Sequence, residues 1–302
     1  MVNKNKRKNG IIIPMKLHDS GTLENLFDDI NEEDIIQNNI NLNDELLINC
    51  SHELKTPLNI IYGAAQMIDI SAQNCCAKNI EGYVNSIKNN CYRLTKYINH
   101  ILDLSTIESG EYKLNLECVN IVEIIEYVVQ NVASKITDKG LTILFDTNVE
   151  EKYVVIDPEL FGKSILNIIS NAVKFSKSKG TILVNFVEHN TYIEITVKDD
   201  GIGIDKNHLQ KIFQRFGQVD KSLSRGYEGS GIGLKLANAI IELHGGRINV
   251  ESTLEEGSTF IIKFPLQKND KIHDLYDNNK VINFNSINQL VHIEFSDIFN
   301  IS

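Results

Sequence analysis

Residues 157–175 read DPELFGKSILNIISNAVKF. Asp157 followed by Pro158 is a helix start, a capping carboxylate with proline at the first helical position. Ile165, Ile169 and Val173 recur every four residues and predict the apolar stripe of a helix running to Phe175. Asn167, Asn171 and Lys174, spaced by four and three, share the opposite face. Two amides and an ammonium on one stripe suit a magnesium-bound polyphosphate. A merely solvated face would more typically mix Glu with Lys.

The segments around this helix read as strands and helices in alternation. Upstream, YKLNLECV (112–119), LTILFDT (141–147) and KYVVID (152–157) are strand-like, and Asn120 with Glu123 resembles a capping box opening a helix to Gly140. Downstream, residues 181–200 predict a hairpin turning at EHNT (188–191), and KNHLQKIF (206–213) predicts a short helix. A helix is expected over about 231–244, then the strands GRINVEST (246–253) and STFIIKFPL (258–266). This is an α+β pattern, a sheet covered on one face by helices. The Asn/Asp-rich tail after 266 carries one strand-like run, QLVHIEF (289–295).

Three glycine-bearing stretches carry chemistry. In DDGIGI (199–204), Asp199 ends a strand, and Gly201 and Gly203 permit a tight turn with close ligand approach. GSGIGL (229–234) opens a helix, where exposed backbone N–H groups at the positive end suit phosphate oxygens. It is neither a Walker P-loop nor a Rossmann fingerprint. Between them, Arg215 lies between Phe213 and Phe216, an arginine placed to reach a transferring phosphoryl group.

Ahead of this region, residues 43–108 predict two long helices. Leu47, Ser51, Leu54, Leu58, Ile61, Ala65 and Ile68 alternate by four and three, and so do Ile80, Val84, Ile87, Cys91, Leu94, Ile98 and Ile101. The short joint predicts an antiparallel hairpin. One hairpin cannot bury both seams, whereas two hairpins can, as a dimeric four-helix bundle. In SHELKTP (51–57), His52 falls just off the seam and is expected to be reachable from solvent. Glu53 adjoins it, Thr56 shares its face, and Pro57 removes the hydrogen bond to the Glu53 carbonyl and should bend the helix. An imidazole is a workable nucleophile near neutral pH. Neither an acyl-transfer triad nor metal-ligand spacing accompanies it, so its electrophile must come from elsewhere.

The bulk properties narrow the class. The chain has 302 residues, 42% hydrophobic, with a net charge of −10, which argues against a general nucleic-acid binder. The basic run NKNKRKN (3–9) reads as a solvated tail. The five cysteines, odd in number and without metal-type spacing, imply a reducing, cytoplasmic compartment. No stretch approaches the ~20 apolar residues that span a bilayer. Residues 1–42 read as a poorly ordered linker, 43–110 as the hairpin, 111–266 as the α/β unit and 267–302 as a tail.

Taken in order, H-E-L-K-T-P, N-x-x-x-N-A-x-K-F, D-x-G-x-G, F-x-R-F and G-x-G-x-G-L resemble the H, N, G1, F and G2 boxes of the sensor histidine kinases of two-component signalling. The resemblance covers roughly residues 43–266. It implies a dimerisation and histidine phosphotransfer hairpin followed by a Bergerat-type ATP-binding sandwich of the gyrase class. It implies that His52 takes the γ-phosphoryl of ATP with Glu53 as acid/base partner. Asn171, with Asn167, holds Mg²⁺. Lys174 meets the phosphates and Asp199 the adenine amino group. Phe175, Gly201, Gly203, Gly229, Gly231, Gly233 and Leu234 line the nucleotide site or its lid. Arg215 assists transfer, and Thr56 matches a position associated with phosphatase activity towards a response regulator. Asp200 departs from the Thr, Ser or Asn often found there and adds negative charge near the nucleotide. Gln214 stands where Glu is frequent.

Three other readings are weaker. An ATPase of the same fold needs a glutamate where Asn167 stands, because an amide cannot activate water as a base. A non-catalytic scaffold predicts a broken box, and none is broken. A hybrid kinase needs a receiver of ~100–150 residues, far more than the tail provides. The acceptor aspartate is therefore expected on a separate response regulator, and the kinase itself is expected to work as a homodimer.

Overall fold

The computed structural model describes residues 32–73, 80–215, 217, 231–266 and 284–298. Side chains are described from Ser51 onward. The chain divides into two compact units between Cys50 and Ser51, so the α/β region and the second long helix belong to one unit.

Two long helices come first, α1 (Glu32–Gln73) and α2 (Ile80–Glu108). The backbone of α1 is already helical at Glu32, ahead of residue 43, where the hairpin was expected to begin. It continues as a single helix through Pro57, which is buried. On the two seams Leu58 is 55% exposed and Ile98 46%, with Ser51, Val84 and Cys91 also exposed and the remaining described positions partly so. The buried side of α2 is instead a polar one, comprising Asn89, Asn90, Lys96, Tyr97, His100 and Leu104.

After α2 come β1 (Glu117–Asn120), α3 (Ile121–Ile136), β2 (Thr142–Thr147), β3 (Tyr153–Ile156), α4 (Pro158–Phe175), β4 (Thr181–Glu188) and β5 (Tyr192–Asp199). Then follow α5 (Gly233–Leu243), β6 (Arg247–Thr253), β7 (Gly257–Pro265) and a last helix, α6 (Phe284–Glu294). The main sheet has the order β2-β4-β5-β7-β6. Its β2–β4 pair is parallel and the other pairs are antiparallel. β1 and β3 form a separate antiparallel pair.

The core follows from the period-2 alternation of the strands. Ile182, Val184 and Phe186 of β4, Ile193, Ile195 and Val197 of β5, and Phe260, Ile262 and Phe264 of β7 all face the helices. Against them lie Ile124, Ile125, Val128 and Val132 of α3 and Ile165, Ile168 and Ile169 of α4. A second, smaller cluster joins Leu104 of α2 to Leu160 and to Leu236 and Ile240 of α5.

Two expected elements differ. KNHLQKIF forms two short 3-10 turns, Lys206–His208 and Lys211–Phe213, in place of one helix. The Asp205 carboxylate caps the first turn by accepting the Asn207 N–H at 2.8 Å, and no side chain caps the second. QLVHIEF is helical through Glu294, the end of α6, where a strand was expected. Ile287, Leu290, Val291 and Glu294, spaced by three and four, are the buried stripe of that helix, so the longer window overrides the short β-like run.

Candidate functional site

The candidate site is assembled from α4, the end of β5 and the start of α5. Asp157 caps α4 through Oδ1, which accepts the Leu160 N–H at 3.0 Å, while Oδ2 accepts the Asn115 N–H at 2.9 Å. Its own N–H donates to His244 Nε2 at 3.0 Å, and His244 Nδ1 meets the Ile240 carbonyl at 2.8 Å. A neutral ring, protonated at Nδ1 and accepting at Nε2, satisfies both contacts. Burial, the largest influence, holds the His244 pKa below its ordinary value. His244 thus ties the end of α5 to the start of α4. Nothing in the sequence marked it, because a lone His near a helix end has no pattern.

Along α4, Asn167 is 3% exposed, which excludes a solvated face at that position. Its Nδ2 donates to the Lys163 carbonyl at 2.9 Å. A Cβ added to Gly233 would lie 2.6 Å from Asn167 Oδ1 and 3.9 Å from His100 Cε1. The start of α5, the second glycine-rich stretch, therefore closes directly on the Asn167 amide. One turn further on, Asn171 is half-buried and its side chain bonds to no described residue. Lys174 is also half-buried, 5.4 Å from the Phe175 ring centroid.

Asp199 closes β5 at 5% exposure. Burial raises its pKa above the ordinary value, although the amides of Gly201 and Ser258 oppose the rise. Both amides donate to Oδ1, at 2.9 and 3.2 Å. Among the described residues none donates to Oδ2. A buried carboxylate with one oxygen still to be satisfied fits an amino-group donor. The neighbouring glycines are sterically required. A Cβ on Gly201 would lie 2.4 Å from the Phe175 carbonyl oxygen. Gly203 has φ +66°, and its Cβ would lie 2.0 Å from the Thr253 carbonyl oxygen. Asp200 turns away from this cradle, accepting the Thr181 N–H at 2.9 Å.

Gly231 adopts φ +66°, and Leu234 packs against the main core. Gly229 lies outside the described residues. Arg215 is ion-paired with Glu108 at the end of α2, and Lys235 stands 3.5 Å from the same carboxylate. On α1, His52 is exposed, Glu53 is partly buried, and the Thr56 hydroxyl donates to the His52 carbonyl at 3.3 Å. The structure thus groups Asn167, Asn171, Lys174, Phe175, Asp199, Gly201, Gly203 and Gly233 in one region, and places His52, Glu53 and Thr56 on a separate helix.

This arrangement defines an ATPase-type α/β sandwich preceded by a long helix bearing an exposed histidine. Residues 156–268 match the family model of histidine kinase-, DNA gyrase B- and HSP90-like ATPases. Residues 42–110 match that of the His Kinase A phospho-acceptor domain. The chain thus carries the phospho-acceptor domain and the ATPase domain of the histidine kinases, in that order. It is 32% identical to the circadian input-output histidine kinase CikA of Synechococcus elongatus, over 74% of this chain and 30% of that protein. It is 37% identical to the hybrid signal transduction protein dokA of Dictyostelium discoideum, over 72% of this chain and 13% of that one. The chain thus spans less than a third of the length of either relative. Among solved structures, Acinetobacter baumannii histidine kinase AdeS superposes with a TM-score of 0.57 at 22% identity, covering 72% of this chain and 98% of that one. Histidine kinase ThkA, solved in complex with the response regulator TrrA, also gives 0.57, at 23% identity over 83% of this chain and 68% of that one. No described helix is long and apolar enough to cross a membrane.

Proposed function

We propose that the chain is an ATP-dependent protein histidine kinase that phosphorylates itself on His52 and passes the phosphoryl group to an aspartate of a separate response regulator. One observation carries the reading: the nucleotide-type cradle has an amide at position 167, where a hydrolase needs a base, while an exposed imidazole stands on α1.

In this reading the Asp199 carboxylate accepts the adenine amino group through Oδ2. Asn167 and Asn171 would hold Mg²⁺, which would offset charge on the phosphates, and Lys174 would meet the phosphates. The donor set fits a hard cation that takes its other ligands from phosphate and water. The turns at Gly201 and Gly203 and the start of α5 at Gly233 bring backbone close to the ligand, with Phe175 and Leu234 supporting them and Gly229 and Gly231 bordering the lid. One His52 ring nitrogen attacks the γ-phosphorus. The bond from that phosphorus to the β–γ bridging oxygen breaks and ADP leaves. Glu53 accepts the proton from the other ring nitrogen, and Arg215 stabilises the charge of the transferring group once it leaves Glu108.

The hairpin at 43–110 is the dimerisation element. Exposed Leu58, Tyr62, Val84, Ile98 and Leu102 supply an apolar surface suited to a second copy. Thr56, one turn from His52, serves dephosphorylation of the regulator. The test is incubation with Mg²⁺ and γ-labelled ATP, comparing wild type with His52→Gln and Asn171→Asp. Acid-labile, alkali-stable label on wild type and on neither variant is expected. Steady phosphate release unaffected by His52→Gln would overturn the reading.

A further inference from the structure

The tail helix α6 packs on α3 and α4 of the ATP-binding unit and also on α2. On the unit side it is held by buried Ile287, Leu290, Val291 and Phe295, and Phe284 stacks on Tyr127 at 4.2 Å. On the α2 side the contact is polar and ionic. His100 Nε2 meets Glu294 Oε1 at 2.7 Å. Lys96 Nζ donates to the Glu294 carbonyl at 2.6 Å and to Asp297 Oδ1 at 2.9 Å. Arg93 donates to the carbonyls of Ser296 and Asp297 at 3.4 and 3.5 Å. Beside this cluster, Lys163 of α4 pairs with Asp103 of α2.

This contact fastens α2 to the nucleotide site itself. His100 and Asn167 crowd the same point beside Gly233. Burial would raise the Asp297 carboxyl, but Lys96, the hydrogen bond between them and the field of Lys174 together hold it below the ordinary value. The attachment is also imperfect. Glu294 is fully buried, yet among the described residues its Oε2 has no hydrogen-bond partner and stands 3.6 Å from Lys96. His100 Nδ1 is likewise without a hydrogen-bond partner among those residues. Buried charges left partly unsatisfied are a poor means of gaining stability, and their best-attested use is to specify one arrangement among several.

We propose that residues 284–298 are an autoinhibitory clamp, which pins α2 to the nucleotide site through Glu294 and Asp297 and keeps the ATP-binding unit from reaching His52. The inference rests on the kinase reading above. Transfer requires that unit to move to α1, and α6 ties it to α2 by contacts that opening must break. The polyphosphate and Asp297 both draw on Lys174, so nucleotide loading works against the clamp.

The test compares wild type with the nearly isosteric pair Glu294→Gln and Asp297→Asn, chosen because deleting α6 would strip buried core residues. Amide hydrogen exchange over 93–104 and 284–298 reads whether the clamp opens. Label from γ-labelled ATP reads the consequence. Faster exchange in both segments, with at least about a five-fold faster initial rate of labelling, is expected. Unchanged exchange would show that these carboxylates do not hold the clamp. Faster exchange with unchanged or slower labelling would make α6 a structural support only. Either result overturns the proposal while leaving the kinase reading intact. Absence of label from every protein, wild type included, would remove the kinase reading and the clamp with it.

Discussion

Gly233 and Asn167 are fitted to each other: a Cβ on the glycine would stand 2.6 Å from the amide oxygen of the asparagine. Asn167 is buried and tethered to the Lys163 carbonyl, so it cannot rotate away without breaking that bond. Gly233→Ala should therefore displace the amide. At least a ten-fold loss of affinity for a non-hydrolysable ATP analogue with Mg²⁺ is expected by titration calorimetry. Native affinity in a folded Gly233→Ala protein would show that Asn167 takes no part in binding.

Asp199 offers a direct test of base recognition. Asp199→Asn keeps an acceptor for the Gly201 and Ser258 amides but presents an NH₂ group where a donor must be received. The fold should survive and ATP affinity should fall by two orders of magnitude or more, about 3 kcal/mol. Because burial raises the Asp199 pKa, acid should weaken nucleotide binding sooner than an ordinary carboxylate would allow. An affinity flat from neutral pH down to the ordinary carboxylate range would contradict this role.

His244 predicts a pH effect on stability. Its folded pKa is lowered, so the unfolded chain binds the proton more readily. The stabilisation is complete above the ordinary histidine value of about 6.5 and is lost as pH falls from there towards the folded pKa. His244→Phe removes the acceptor for the Asp157 N–H and should lower stability by about 1–3 kcal/mol. It should also flatten the dependence between neutral and mildly acid pH, measured by denaturant unfolding.

Arg215 pairs with Glu108 in a partly exposed setting, so the pair itself contributes little to stability, about 0–1 kcal/mol. Arg215→Ala should leave the melting temperature and nucleotide affinity nearly unchanged and slow autophosphorylation by ten-fold or more. Equal loss of binding and rate would assign the arginine to ground-state binding of the nucleotide instead.

Sequence alone fixed what depends on neighbours a few residues apart. The Asp157–Pro158 start, the period-2 strands of the sheet and the glycines at 201 and 203 are local consequences of capping, alternation and backbone freedom. So is the spacing that puts Asn167, Asn171 and Lys174 on one helix. The QLVHIEF run shows the limit, because a short apolar segment reads equally as strand or helix until it finds a surface. A carboxylate at Glu294 on the apolar stripe of Ile287, Leu290 and Val291 was the one local sign of the clamp.

Tertiary structure decided the rest. The His100–Glu294 pair joins residues 194 apart, and His244 reaches Asp157 across 87. It also decided that Asn167 is buried against Gly233 and does not line an open face, and that Asp200 points to Thr181. Such contacts carry no periodicity. They arise when the core brings α2, α4, α5 and α6 together and each buried polar group must take whatever partner that packing leaves within reach.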